Sequence, residues 1–142
     1  MLLTTAQRKV LRIWLVGSGL LFVILFLQMM FHKYGNEYLK VSGWYTQNIL
    51  PTLGILISSF IYVNRNRSEF STKKVSLFYF SITKYSSLCY FFSLFLTIFL
   101  QPTIYSLTSQ NALEVLSNST FFLSIFQTTN TSLLGLLFIK SE

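Results

Sequence analysis

Few residues in this chain have side chains suited to catalysis or metal binding. Across 142 residues there is one histidine, His32, one cysteine, Cys89, and four carboxylates (Glu37, Glu69, Glu114 and Glu142), with no Asp at all. A lone histidine assembles neither a multi-histidine metal centre nor a bis-histidine haem. One cysteine forms no disulfide within the chain, and in an apolar run it behaves as a small hydrophobe. Serine and threonine are plentiful, but activating a hydroxyl requires a base within reach, and His32 stands apart from the hydroxyl-bearing rows. Gly17-Ser18-Gly19 lies inside an apolar block, without the strand-to-helix setting of a phosphate loop. It reads as a place for close helix packing. An enzyme is therefore disfavoured, and neither a metal nor a cofactor is expected.

The remaining polar signal consists of amides and hydroxyls at helical spacing. Gln127-Thr128-Thr129-Asn130-Thr131-Ser132 separates two apolar halves, Phe121 to Phe126 and Leu133 to Ile139. Ser124, Gln127, Thr128 and Thr131 recur at intervals of three and four, and Asn130 sits within the run. Further upstream, Tyr79, Thr83, Ser86, Tyr90, Ser93, Thr97 and Gln101 follow the same spacing, with Ser87 as an exception. Such stripes have two readings. Membrane helices associate through small residues and interhelical hydrogen bonds, each worth about 0.6–2 kcal/mol. Alternatively, Gln127, Asn130 and Thr131 ring a water-filled path at mid-depth in an oligomer, where uncharged groups replace part of an ion's hydration shell. Ser124, Gln127, Thr128, Asn130, Thr131, Ser93, Thr97 and Gln101 are accordingly the candidate pore or packing residues. A second candidate is the basic segment of Arg65, Arg67, Lys73 and Lys74, which suits anionic headgroups or a cytoplasmic protein partner.

The elements that carry these residues must be membrane helices. The chain is 52% hydrophobic and 11% charged, against about 25% charged in soluble domains, and the apolar residues come in blocks. Residues 13–31, 45–64, 79–101 and 119–139 each approach the ~20 residues that cross a bilayer. The first block exceeds a signal-peptide core and lacks a small-x-small cleavage site, so it is read as a retained helix. Trp44 and Tyr45 suit an interfacial level. Pro51 is placed in the first turns of the second span, where its missing N–H costs little. Val75 to Ile82 is either an interfacial segment or an early extension of the third helix. The fourth span is the one interrupted by the polar run.

Lys and Arg distribute unevenly. Arg8, Lys9, Arg12, Arg65, Arg67, Lys73, Lys74, Lys84 and Lys140 fall on one side, Lys33 and Lys40 on the other. By the positive-inside rule both termini are cytoplasmic. The net charge of +7 flanks apolar blocks rather than lining a soluble face, so nucleic acid is not an expected partner. The sequence thus predicts a single all-α domain: a polytopic membrane protein with four transmembrane helices in a compact bundle, N-in and C-in. Its partners are the lipid bilayer and either further copies in a homo-oligomer or a partner membrane subunit. Short loops incline the reading towards a prokaryotic inner membrane. The expected function is an oligomeric, channel-like membrane component with the fourth span facing the path. The alternative is an accessory or scaffold subunit of a larger complex.

Overall fold

A computed structural model describes residues 1–70 and 72–139. Its described residues form four long helices, one short helix and a single helical turn, with no strand: α1 (Leu3–Met30), α2 (Tyr38–Arg65), the turn α3 (Arg67–Phe70), α4 (Leu77–Phe99), α5 (Gln101–Thr108) and α6 (Ala112–Ile139). The helices outrun the apolar blocks because polar and basic first turns are helix formers too. α1 begins ten residues before Ile13, and α2 seven before Tyr45. α6 starts at Ala112 instead of Ser119, and local chemistry explains why. Asn111 Oδ1 accepts from the Glu114 N–H while Glu114 Oε2 accepts from the Asn111 N–H, both at 2.9 Å. This reciprocal pair is a capping box, which satisfies two N–H groups a helix start leaves open. At α4, Ser76 caps Phe78 at 3.3 Å, so the stretch from Leu77 on is helix and extends the third span. That span ends at Phe99, and Pro102 then opens the separate two-turn α5.

Pro51 is not in the opening turns as the sequence suggested. Because α2 starts at Tyr38, the proline lies mid-helix, where it leaves the carbonyl four residues back, that of Gln47, without its usual N–H.

The long helices pack as a ring in the order α1, α2, α6, α4, each touching the next and α4 closing on α1. Chain neighbours α2 and α4 therefore stand diagonally across the bundle. Residues 1–3 run antiparallel to 73–75, with the Leu3 N–H on the Lys73 carbonyl (3.0 Å) and the Val75 N–H on the Met1 carbonyl (2.8 Å). This tie brings the starts of α1 and α4 to one end, so the two are parallel. α2 and α6 are parallel to each other, as the contacts Trp44–Ser119 and Thr52–Thr131 show, and α2 turns back along α1, with Tyr45 Oη on the Ser18 carbonyl.

The interior is apolar: Trp14, Leu21, Leu25, Ile49, Leu56, Tyr90, Leu94, Ile98, Leu123, Leu134 and Leu137 are all buried. Around it stands an equally apolar exterior that includes Leu20, Phe22, Val23, Phe92, Phe121 and Phe122, each more than half exposed. A surface of this kind is a poor match for water and a good one for hydrocarbon. Among the described residues, three helices are long and apolar enough to cross a membrane: α1, α2 and α4. α6 has the length, 28 residues, and is not one of the three counted among the described residues.

Candidate functional site

Several polar residues of the interior meet in one layer. Asn130 of α6 is fully buried. Its Oδ1 accepts from Ser87 Oγ of α4 at 3.3 Å, and its Nδ2 donates to the carbonyls of Ser86 (3.3 Å) and Phe126 (3.0 Å). Ser87 in turn accepts from Trp14 Nε1 of α1 at 3.1 Å. Three helices are thereby joined through one hydroxyl and one amide. Beside them Thr52 of α2 and Thr131 of α6 share a hydrogen bond of 3.3 Å, which brings in the fourth. Asn130 sits on a seam of α6 spaced by threes and fours: Leu116, Thr120, Leu123, Gln127, Asn130, Leu134, Leu137. A single amide on such a seam sets which residues face one another, because any slip buries it unpaired.

The layer is off centre. Trp14 follows Arg12 by two residues and Ser87 follows Lys84 by three, about 3–5 Å along each helix axis. In the other direction α1 carries no charge through its end at Met30, about 24 Å away at ~1.5 Å per residue. Asn130 thus lies nearer the basic end of the bundle than the other, nine residues before the end of α6.

Gln127 has a different task. Its Nε2 donates to the Gln47 carbonyl at 3.2 Å, the very group that Pro51 deprives of its backbone partner. One residue on, the Asn48 carbonyl accepts from Tyr90 Oη at 2.7 Å. Side chains from α6 and α4 thus repair the turn of α2 that the proline opens, as membrane helices with internal proline require. The sequence held this signal in the position four before Pro51, but not the identity of the distant donor.

The other candidates are distributed. Ser124 and Thr128 are exposed on the outer face of α6, together with Thr129 and Ser132. Each hydroxyl returns to a carbonyl three or four residues back, at 2.7–3.0 Å. Ser93 and Thr97, half-buried on α4, do the same at 3.0 Å. Hydroxyls bonded in this way sit in hydrocarbon without needing water. Gln101 is buried at the opposite end, where Tyr34 Oη lies 2.6 Å from Gln28 Oε1 and 3.2 Å from Gln101 Oε1. One O–H serves one acceptor well, and Gln101 Nε2 has no partner. Turning that amide by 180° gives the relay Gln101 Nε2 to Tyr34 Oη to Gln28 Oε1 and leaves Gln101 Oε1 as the unmet atom. Burial pushes the Tyr34 hydroxyl above its ordinary value, with the Gln101 contact opposing. Ser87, the exception to the α4 stripe, proves to be the hub, because the buried face of α4 (Thr83, Ser87, Tyr90, Leu94, Ile98) only partly follows polarity.

Of the basic segment, Arg65 ends α2, and Lys73 and Lys74 lie in the tie with residues 1–3. Lys73 Nζ rests 4.6 Å from the centre of the Phe70 ring. The Arg67 side chain and Lys140 lie outside the described residues. Compared with protein-family models, curated proteins and solved structures, the chain matches none.

Proposed function

We propose that the chain is a non-enzymatic membrane protein of four crossings, α1, α2, α4 and α6, with the basic end of the bundle and both termini on the cytoplasmic side. Its work is to pack: it serves as an accessory or scaffold subunit whose α6 meets a helix of a partner subunit or of a second copy. One observation carries this reading. Asn130, the most polar group of the interrupted span, is enclosed by α1, α4 and α6 and has its bonding met within one chain. A residue consumed in this way stitches helices together and lines no path. The outward face of Ser124, Thr128 and Ser132, small and hydroxyl-bearing at intervals of four, is the surface on which another helix approaches closely.

A channel remains the second reading, favoured by the same outward face. In an oligomer the path would then be lined by Ser124, Thr128 and Ser132, with Asn130 behind them.

The experiment that separates the readings replaces Thr128 with Leu and, separately, with Phe, in the full chain. Under the packing reading, cysteine cross-linking at Ser132 in native membranes captures a neighbouring helix. The Phe variant loses that product, and liposomes holding the wild type pass no ions. Ion flux through wild-type liposomes that Thr128→Leu alters would overturn it in favour of the channel. Sidedness of tags on both termini decides the orientation: a cytoplasmic N-terminus with a C-terminus reached from the periplasmic or extracellular side refutes an even number of crossings.

A further inference from the structure

Gln7 stands on the buried seam of α1, where Leu3, Val10, Trp14, Leu21 and Leu25 otherwise supply apolar side chains. It is 1% exposed, and neither its Nε2 nor its Oε1 has a hydrogen-bond partner. Turning the amide rescues nothing, since both ends are unmet. Leaving both polar atoms of a buried amide unsatisfied is costly, so a partner from outside the chain is called for. Gln7 lines a cavity of about 230 Å³ between the first turns of α1 and the last turns of α2. Thr4, Thr5, Arg8, Phe60, Val63 and Asn64 form its remaining walls. Among the described residues the one ion pair is Lys40–Glu37, at the far end of the bundle.

We infer that this cavity seats the headgroup of an anionic, hydroxyl-bearing phospholipid such as a phosphoglycerol lipid. The chemistry follows from the two ends of one amide. With its side chain turned out to the cavity it lines, Gln7 donates through Nε2, alongside the Arg8 guanidinium, to phosphate oxygens, a charge-assisted pairing that Arg forms well. Oε1 needs a donor, and a bare phosphate offers none in its dianionic form, whereas a headgroup glycerol brings hydroxyls. The Thr4 and Thr5 hydroxyls and the Asn64 amide add donors and acceptors at the rim. The level is right for a headgroup: Asn64 precedes Arg65, and Arg8 lies one turn before Arg12. Ile57 and Ile61, exposed on α2 beside and below Phe60, offer the acyl chains a surface. At this volume the cavity suits a headgroup better than a drug-sized ligand.

The test uses the full chain in detergent, titrated with phosphatidylglycerol, phosphatidic acid, phosphatidylcholine, inorganic phosphate and glycerol phosphate, read by native mass spectrometry and by the shift in thermal unfolding. The expected result is binding and stabilisation by phosphatidylglycerol above phosphatidic acid, with phosphatidylcholine weakest and neither soluble anion competing. Gln7→Met should erase the preference for phosphatidylglycerol over phosphatidic acid while leaving phosphatidic acid bound. Arg8→Gln should weaken both by about tenfold, and Lys74→Gln, outside the cavity, should change little. The inference is overturned if Lys74→Gln loses as much as Arg8→Gln, since diffuse surface charge would then explain the binding. Displacement of the lipid by inorganic or glycerol phosphate would make the ligand a soluble anion. A preference unchanged in Gln7→Met would mean that water alone meets the amide. Should that variant not fold, the comparison of Arg8→Gln, an exposed position, with Lys74→Gln decides alone.

Discussion

At the residue scale, identity mattered less than what stands opposite. Gly17 and Gly19 look interchangeable in sequence, yet a Cβ on Gly17 would meet the Phe91 ring at 2.7 Å, while one on Gly19 meets nothing within 4 Å. Phe91 cannot retreat easily, because Trp14 and Tyr90 hold it on two sides. Gly17→Ala is therefore expected to destabilise the bundle by about 1–3 kcal/mol, the usual range for an overfilled core. Gly19→Ala should be neutral or stabilising by up to ~1 kcal/mol through helix propensity. Equilibrium unfolding in mixed micelles measures both, and equal effects would refute the close approach of α1 to α4. The expectation of close packing at Gly17-Ser18-Gly19 was thus half legible. The composition marked the place, but only the partner helix tells the two glycines apart. The same holds for the stripes. Polarity picked out Ser93 and Thr97, which bond to their own helix, and passed over Ser87, whose neighbours at Trp14 and Asn130 lie 73 and 43 residues away in the chain.

Among the elements, α2 shows how one helix depends on another. Pro51 removes a backbone donor, and Gln127 of α6 supplies a replacement at the Gln47 carbonyl. Removing the cause should remove the need. Gln127→Leu in the wild-type chain is expected to cost about 1 kcal/mol. In a Pro51→Ala background it should cost close to nothing, since alanine brings back the N–H that the Gln47 carbonyl lacks. A double-mutant cycle by unfolding measures this coupling; the same cost in both backgrounds would sink the idea. Helix existence was legible from the apolar blocks, because crossing hydrocarbon imposes length and composition together. Helix ends were less so. The Asn111–Glu114 signature was present in the sequence and marks the start of α6, seven residues before the apolar block. α5 had no apolar block to announce it, and it follows from Pro102 at a helix start.

For the whole molecule, the ring order α1, α2, α6, α4 was not readable from the chain. It depends on long-range pairings such as Trp44 with Ser119, which no local pattern encodes. The two ends of the bundle differ in chemistry as well. At the end opposite Arg8, Arg12 and Arg65, and beside Lys33, Tyr34 is buried with Gln28 and Gln101, and burial raises its pKa above the ordinary 10.0. Above that pH the unfolded chain releases the proton while the folded one retains it, so the folded state binds more protons and stability falls as pH rises. Below it, no such dependence on Tyr34 exists. Unfolding midpoints measured from pH 8 upward should thus decline past about pH 10, and more gently in Tyr34→Phe. A decline of equal slope in that variant would assign the effect elsewhere.

The tie between residues 1–3 and 73–75 sets an order in time. Leu3 and Lys73 are 70 residues apart in the chain, several seconds of synthesis at roughly 5–20 residues per second. When that interval closes α1 and α2 are complete, while until then the first turn of α1 has had no backbone strand to rest on and the wall formed by α4 is still missing. The nascent hairpin is an open clamp, with Gln7 and Trp14 accessible to whatever lipid or insertion machinery stands beside it. The arrival of α4 closes it.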